Sequence, residues 1–258
     1  MEKKLNTFFK QKSKKLRQDF ISALHDGFKY HIGGTLSCID ITTVLFYGNF
    51  INLKNKNRNI FILSKGHALA CLYLTLIDKK IINYRYLKNG YRNLKLGGQL
   101  DIFNSKFVDW NTGSLGHSIG VSIGLAIKNP KKKIYLIVGD AEFEEGSVWE
   151  AIFFISEKKI KNIMIIIDRN NMSATSEIKK KDIFTKKIID QLNLKVNRID
   201  GHNFNKIYEV LNNFKKKNVS NILIANTIKG KGFRIFENNK KYSHEMPKSD
   251  ILKKLLCK

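Results

Sequence analysis

Five short apolar runs, rich in Ile, Leu and Val, are the feature that most constrains the fold of this chain. They are NIFILS (59–64), KIYLIV (133–138), NIMIIID (162–168), LKVNRI (194–199) and NILIAN (221–226). Each run has the length of a buried strand and is too short for an ordinary helix. Patterns typical of helices fall between them or follow them, at about 36–48, 67–79, 115–128, 146–159, 203–216 and 248–257. Strands that alternate with helices of this length predict an α/β fold, a mostly parallel sheet flanked by helices.

A single domain, 1–258, is the simplest division of the chain. It has no internal repeat and no linker rich in Pro or Ser, and 43% of its residues are hydrophobic, enough for one large core. No apolar run approaches the roughly 20 residues of a membrane span, and no long apolar stretch follows the basic start. The cysteines lack the spacing of a metal site and predict free thiols in a reducing cytoplasm: Cys38, Cys71 and Cys257.

The formal net charge of +25 raises the question of nucleic-acid binding. Lysines are spread along the whole chain, without the interleaved aromatic residues that are typical of RNA-binding platforms. Lys, Asn and Ile are abundant throughout, so the charge is a general property of the composition. We therefore expect no sequence-specific nucleic-acid binding, although a basic surface attracts anionic metabolites.

Acidic residues concentrate in one segment of this basic chain, VGDAEFEEGSVWEA (138–151). Asp140 follows one predicted strand, and Asn170 follows the next. Because ligands bind beyond the carboxyl ends of parallel strands, we expect these two side chains to converge. A carboxylate and an amide oxygen are hard ligands, suited to Mg²⁺ or Ca²⁺ rather than to zinc. Ordinary capping of a helix N-terminus by Asp140 is the alternative interpretation.

Six blocks of the sequence, in order, resemble the transketolase family. GDAEFEEGSVWEA, continued by NIMIIIDRNNMSAT, is similar to the family's thiamine-diphosphate signature. The other blocks are HIGGTLSCIDITTVLF (31–46), ILSKGHALACLY (62–73), TGSLGHSIGVSIGLA (112–126), IDGHN (199–203) and TIKGKGFRIFENN (227–239). The resemblance covers nearly the entire chain and implies a thiamine-diphosphate-binding fold of the diphosphate-binding type. The family's pyrimidine-binding domain has no counterpart here, so we expect it on a separate chain, as in a split transketolase.

The resemblance also implies the ligands of a cofactor and a metal. Asp140, the side chain of Asn170 and the backbone carbonyl of Met172 would bind Mg²⁺ or Ca²⁺. The cofactor-binding residues would be His67, Gly113, Ser114, Leu115, Gly139, Asp140, Ala141, Glu142, Asn170 and Lys229. Ala141 replaces a family glycine, a mild change if the backbone there has an ordinary φ. For Glu142 and Glu144, a solvated acidic helix N-terminus is the main alternative.

The catalytic residues implied by the resemblance are His31, His67, His244, Glu145 and Glu150. The two glutamates match family residues that join a carboxylate network across the subunit interface. His31, Gln99 and His244 would contact the substrate. Gln99 departs from the family's histidine: it can hydrogen-bond a hydroxyl group but cannot relay a proton at neutral pH.

These matches imply a transferase subunit that moves a two-carbon ketol unit from a ketose, or its phosphate, to an aldose. We expect it to be inactive without a C-terminal subunit, most simply in an α₂β₂ assembly, and to act on a sugar phosphate or a nucleotide-linked sugar. Two alternatives remain open. One is a subunit of another thiamine-diphosphate enzyme, similar to 1-deoxyxylulose-phosphate synthase or to a dehydrogenase. The other is a non-catalytic basic binding protein on the same scaffold.

Overall fold

The structure, a computed structural model, describes residues 3–84, 107–172, 191–192, 194–217, 219–243 and 245–257. Five strands lie in these ranges: β1 (Ile60–Leu63), β2 (Ile134–Gly139), β3 (Ile163–Arg169), β4 (Lys195–Asp200) and β5 (Asn221–Asn226). The α-helices there are α1 (Lys3–His25), α2 (Ile32–Tyr47), α3 (Leu69–Asp78), α4 (His117–Lys128), α5 (Gly146–Glu157), α6 (Phe204–Lys216) and α7 (Ser249–Leu256). Short 3₁₀ helices span Gly66–Ala68, Glu142–Glu144 and Lys240–Ser243.

The strands form one parallel sheet in the order β1-β2-β3-β5-β4, which confirms the predicted α/β fold. The register sets Gly139 of β2 opposite Asp168 of β3, and Asp168 opposite Ala225 of β5. The carboxyl ends of these three strands are therefore level. β2, β3 and β5 are almost continuously buried, whereas the edge strand β4 is partly exposed, because only internal strands are covered on both faces and both sides.

Two apolar cores cover the two faces of the sheet. Tyr135, Ile137 and Ile166 point into a core that includes residues of α1, α2, α3 and α6. Leu136 and Val138, the intervening residues of β2, point into the second core, with α4 and α5. Successive strand residues alternate between the two faces, and both faces are covered, so the run Ile134–Val138 is apolar throughout.

Helix α1 lies outside the predicted helices, the first of which begins at about 36. Its apolar residues Phe9, Leu16, Phe20 and Leu24 recur at near-helical spacing among many lysines and are all buried. α2 begins at Ile32, four residues before the predicted start. The two glycines after Ile32 therefore lie in its first turn, where they approach the strand ends.

α2 and α3 bring Cys38 and Cys71 together, with their Sγ atoms 3.7 Å apart. Both thiols are buried and free, and Cys257 is free and exposed, in agreement with the prediction of free thiols. Within the described ranges, the helices are all too short or too polar to cross a membrane.

Candidate active site

Polar residues gather where four strands end. Ser64 and Lys65 follow β1, Asp140 follows β2, Asn170 follows β3, and Thr227 follows β5. The strands are parallel, so these segments share one edge of the sheet, the edge at which α/β proteins bind their ligands.

Asp168, in β3, is the most connected acidic residue at this edge. Its side chain is fully buried and accepts hydrogen bonds from Lys65 Nζ, from Thr227 Oγ1 and, at 2.6 Å, from Ser37 Oγ of α2. Burial alone would raise the pKa of Asp168, but the charge of Lys65 and these hydrogen bonds hold it below its usual value. Burial would lower the pKa of Lys65, but Asp168 raises it above its usual value. The two side chains therefore form a buried ion pair, a role that the sequence analysis did not predict.

Asp140 binds the loop that follows β3. Its Oδ2 accepts the backbone N–H groups of Asn170, at 2.9 Å, and Asn171, at 2.6 Å, and its Oδ1 accepts that of Ala141, at 3.0 Å. Asn171 adopts the left-handed conformation, with φ of 59°, which lets the loop turn back on the carboxylate. Ala141, not Asp140, occupies the N-cap of the next 3₁₀ helix. The convergence of Asp140 and Asn170 is confirmed, and the capping interpretation does not describe this carboxylate.

The oxygen atoms of this loop suit a hard divalent cation. Asn170 Oδ1 accepts the N–H group of Met172 at 3.2 Å, so the predicted metal-binding residues occupy one tight turn beside Asp140. That amide oxygen keeps a second lone pair for a ligand. The residues that the structure describes include no group of three or more His, Cys, Asp and Glu side chains that could hold a metal ion. A carboxylate, an amide oxygen and a backbone carbonyl fit Mg²⁺ or Ca²⁺, and not a soft metal.

Burial, followed by the negative charge of Asp168, raises the pKa of Asp140. A bound cation would favour the ionised carboxylate and oppose this shift. Ala141 has φ of −64° and ψ of −39°, an ordinary right-handed conformation. The alanine therefore introduces no backbone strain where the family has glycine, as expected for a mild change.

Two glycines of α2 carry two basic side chains. A Cβ atom on Gly33 would lie 2.7 Å from Lys229 Cγ, and one on Gly34 would lie 2.7 Å from His67 Nε2. The backbone N–H of Gly230 also donates to the Gly33 carbonyl at 3.2 Å. Lys229 and His67 therefore pack directly on the helix backbone, in a position that any larger residue at 33 or 34 would change.

His67 is uncharged at neutral pH. Burial lowers its pKa to about 3, and the positive charges of Lys65, His31 and Lys229 contribute to that shift. The ring of His31 lies edge-on to that of His67, with 5.4 Å between the centroids. Burial and then the charge of Lys65 lower the pKa of Lys229 as well. The site thus combines cationic groups, which attract a phosphate, with a neutral imidazole that can donate or accept a hydrogen bond.

Glu142 is a buried brace between three segments of the site. Its Oε1 accepts from Ser64 Oγ and, at 3.0 Å, from the N–H of Gly116, and its Oε2 accepts from the N–H of Gly139 at 3.2 Å. The side chain is only 2% exposed, so the solvated alternative is wrong for Glu142, although Glu144 is exposed. Burial raises the pKa of Glu142, since water no longer stabilises its charge. Glu142 therefore fixes the backbone of the predicted cofactor loop.

The turn before α4 requires glycine at two positions. Gly113 and Gly116 have φ of 139° and 76°, and a Cβ atom on Gly116 would lie 2.3 Å from Ser147 Oγ. Between them, Ser114 and Leu115 are exposed beside the N-terminus of α5. They are available to contact a ligand from this turn.

The remaining predicted residues are not all within the described part of the chain. Glu145 and Glu150 are both exposed, at the N-cap of α5 and in its first two turns. Gln99 and His244 lie outside the described residues. The cluster at the strand ends therefore includes His31, His67, Lys229, Asp140 and the loop after β3, but the roles assigned to them remain predictions.

Comparison with known proteins agrees with this geometry. The family model described as "Transketolase, thiamine diphosphate binding domain" matches residues 9–252. One of the two subunits of the apulose-4-phosphate transketolase of Actinobacillus succinogenes is 32% identical, over 85% of this chain and 84% of the relative. The 6-deoxy-6-sulfo-D-fructose transketolase subunit of Clostridium sp. (strain MSTE9) is 29% identical, over 84% of this chain and 82% of the relative.

Among solved structures, the transketolase of Campylobacter jejuni superimposes with a TM-score of 0.83 and 27% identity. The match covers 96% of this chain but only 43% of the longer transketolase. The family model covers most of the chain, and its topology is that of a solved member. The chain therefore belongs to the transketolase family and corresponds to its thiamine-diphosphate-binding domain.

Proposed function

We propose that this chain is the thiamine-diphosphate- and Mg²⁺-binding subunit of a two-chain transketolase. The reaction transfers a two-carbon ketol unit from a ketose, or its phosphate, to an aldose. The observation that carries the proposal is the contact of Asp140 with the loop of Asn170 and Met172. These residues are the family's metal ligands by resemblance, and their oxygen chemistry suits Mg²⁺.

The chain's own residues would bind and orient the reactants. Asp140, Asn170 and Met172 would hold the cation, while Lys229 and His67 would contact the diphosphate from the first turn of α2. Thiamine diphosphate supplies, when bound, the carbon nucleophile and the electron sink of the reaction. His31 lies against His67 and is suited to orient hydroxyl groups of the sugar. The low pKa of His67 keeps its imidazole neutral, so it hydrogen-bonds without adding charge.

A partner subunit with the pyrimidine-binding domain would complete the site. Two relatives are named as transketolase subunits, and the match covers 84% and 82% of their lengths, which supports a two-chain enzyme. Seven large hydrophobic side chains are exposed in the described part of the chain, and four of them belong to α4, α5 or the turn before α4: Leu115, Ile127, Phe153 and Phe154. Exposed apolar residues near Glu145 and Glu150 are suited to a subunit interface. The simplest closed assembly has two copies of each chain.

The substrate class follows from the relatives' names and from charge. One relative is named for a sugar phosphate and the other for a sulfo sugar, so both names specify an anionic sugar. A chain with a net charge of +25 would attract such a substrate. We therefore propose a sugar phosphate, or a nucleotide-linked sugar, as substrate of an enzyme located in the cytoplasm.

Calorimetry of thiamine diphosphate with and without Mg²⁺ tests the metal site. Asp140→Asn should reduce the Mg²⁺-dependent affinity at least about tenfold, because the cation loses its carboxylate ligand among these residues. Asp250→Asn, which changes an exposed carboxylate in the first turn of α7, is the matched control and should bind normally. Unchanged affinity in Asp140→Asn would show that this carboxylate only fixes the loop.

A turnover assay with xylulose 5-phosphate and ribose 5-phosphate, and other ketoses in parallel, tests the two-chain proposal. The purified chain with thiamine diphosphate and Mg²⁺ should show essentially no transfer, and the partner chain should restore it. Without the second domain the site lacks a general acid and stays open to water. Robust transfer by the chain alone, free of host transketolase, would refute this division of labour.

A further inference from the structure

A cavity of about 500 Å³ lies between α1, the start of α6 and the loop at 231–233. Its volume is within the range of small-molecule sites in proteins. None of the residues assigned above to the cofactor, the metal or the sugar lines it. The cavity is therefore separate from the site at the strand ends.

The floor of the cavity is a fixed polar network. Arg17, which is 8% exposed, donates to Asp40 at 2.7 and 2.9 Å and to the backbone carbonyl of Lys231 at 2.8 Å. His202 Nε2 accepts the N–H of Ile228 at 2.9 Å, so its Nδ1 carries the proton and donates to Asp40 at 2.7 Å. Asp40 neutralises Arg17, and His202 is neutral in this tautomer. The floor is therefore rigid and has no net charge.

The rim of the cavity is cationic. Lys10 and Lys14 are one turn apart on α1, and Lys231 faces them from the loop. In the part of the chain that the structure describes, the ammonium groups of Lys10 and Lys14 form no ion pair, while Lys231 lies 3.8 Å from Glu237. Three lysines at the rim of a neutral floor favour an anionic ligand.

The remaining walls are apolar. Phe204 is buried, Phe233 is half-buried, and Leu255 of α7 closes one side. Gly232 has φ of 104°, and a Cβ atom there would lie 2.5 Å from Arg17 Cδ, so only glycine lets the loop approach this closely. The close approach brings Phe233 and Lys231 to the same cavity. An aromatic wall beside ammonium groups suits a ligand with a ring at one end and an anion at the other.

We propose that this cavity binds an aromatic or heteroaromatic monophosphate. The ring would lie against Phe204 and Phe233, and the phosphate would accept hydrogen bonds from Lys10, Lys14 and Lys231. The inference does not depend on the proposed catalytic function, because the two sites share no residue.

Titration of phenyl phosphate into the full-length chain, followed by calorimetry, tests the proposal. Saturating thiamine diphosphate and Mg²⁺ are present to occupy the strand-end site. We expect one saturable site, with inorganic phosphate at least about tenfold weaker because it lacks the ring. The double variant Lys10→Gln/Lys14→Gln should weaken phenyl phosphate at least tenfold. Phe233→Ala should weaken phenyl phosphate and leave inorganic phosphate unchanged.

The matched control is Lys215→Gln/Lys216→Gln, which removes the same charge from an exposed part of α6. It should bind phenyl phosphate as the unmodified chain does. Circular dichroism checks that both double variants fold, which is expected because all four lysines are exposed. Absence of saturable binding, equal losses in the two double variants, or equal affinity for phenyl phosphate and inorganic phosphate would overturn the proposal.

Discussion

The buried ion pair between Lys65 and Asp168 gives a sharp test of how the strand ends are held together. Asp168→Asn removes the negative charge but keeps an oxygen that can accept from Ser37 and Thr227. Lys65 is 4% exposed, and its other contacts are neutral oxygens of Gly34 and Ser37 at 3.4 Å. The substitution therefore leaves an ammonium group buried without a compensating charge.

Removing one partner of a buried ion pair costs about 3–5 kcal/mol, because the remaining charge is desolvated and unpaired. We expect a loss of this size in the free energy of unfolding. For a chain of this length it corresponds to a fall of about 6–20 °C in the unfolding midpoint. Lys65→Met combined with Asp168→Asn removes both charges, so it should recover most of the loss.

Urea unfolding followed by tryptophan fluorescence measures the effect, with the m-value as a check that the unfolding transition is unchanged. The control is Glu157→Gln, which breaks an exposed pair with Lys158 at 3.0 Å. Exposed pairs contribute about 0–1 kcal/mol, so the control should be close to the unmodified protein. A loss below about 1 kcal/mol in Asp168→Asn, or a double variant no more stable than the single one, would refute the ion-pair reasoning.

Two other substitutions test the cofactor cradle and the floor of the second cavity. Gly34→Ala places a methyl group 2.7 Å from His67 Nε2, so calorimetry should show at least about tenfold weaker thiamine-diphosphate binding. Gly120→Ala, which has nothing within 4 Å of the new Cβ, should bind normally; equal affinities in both variants would contradict the cradle. Burial would raise the pKa of Asp40, but Arg17 and hydrogen bonds hold it far below its usual value. The resulting stability is present above about pH 4 and is lost as the pH falls further, so Asp40→Asn should unfold less steeply than the unmodified chain in acid titrations monitored by circular dichroism; parallel curves would argue against it.

The sequence by itself determined the strands and the meeting of Asp140 with Asn170. Buried parallel strands are continuous apolar runs, so all five could be located from the residue pattern. Residues after neighbouring strands meet because parallel strands end at the same edge, so local order along the chain was enough. The motif blocks then identified the family. Helix α1 was missed because lysines dilute its apolar stripe.

Only the tertiary structure decided the partners of the buried acids. Asp168 lies 131 residues from Ser37 and 103 from Lys65, and no periodicity connects such distant positions. Glu142 looks like part of an exposed acidic segment in the sequence, yet its oxygens bind three backbone or hydroxyl donors from separate segments. These contacts depend on the strand order and on which face of the sheet each helix covers. The energy of a buried charge depends on its neighbours in space, so it was settled only when the sheet and helices packed together.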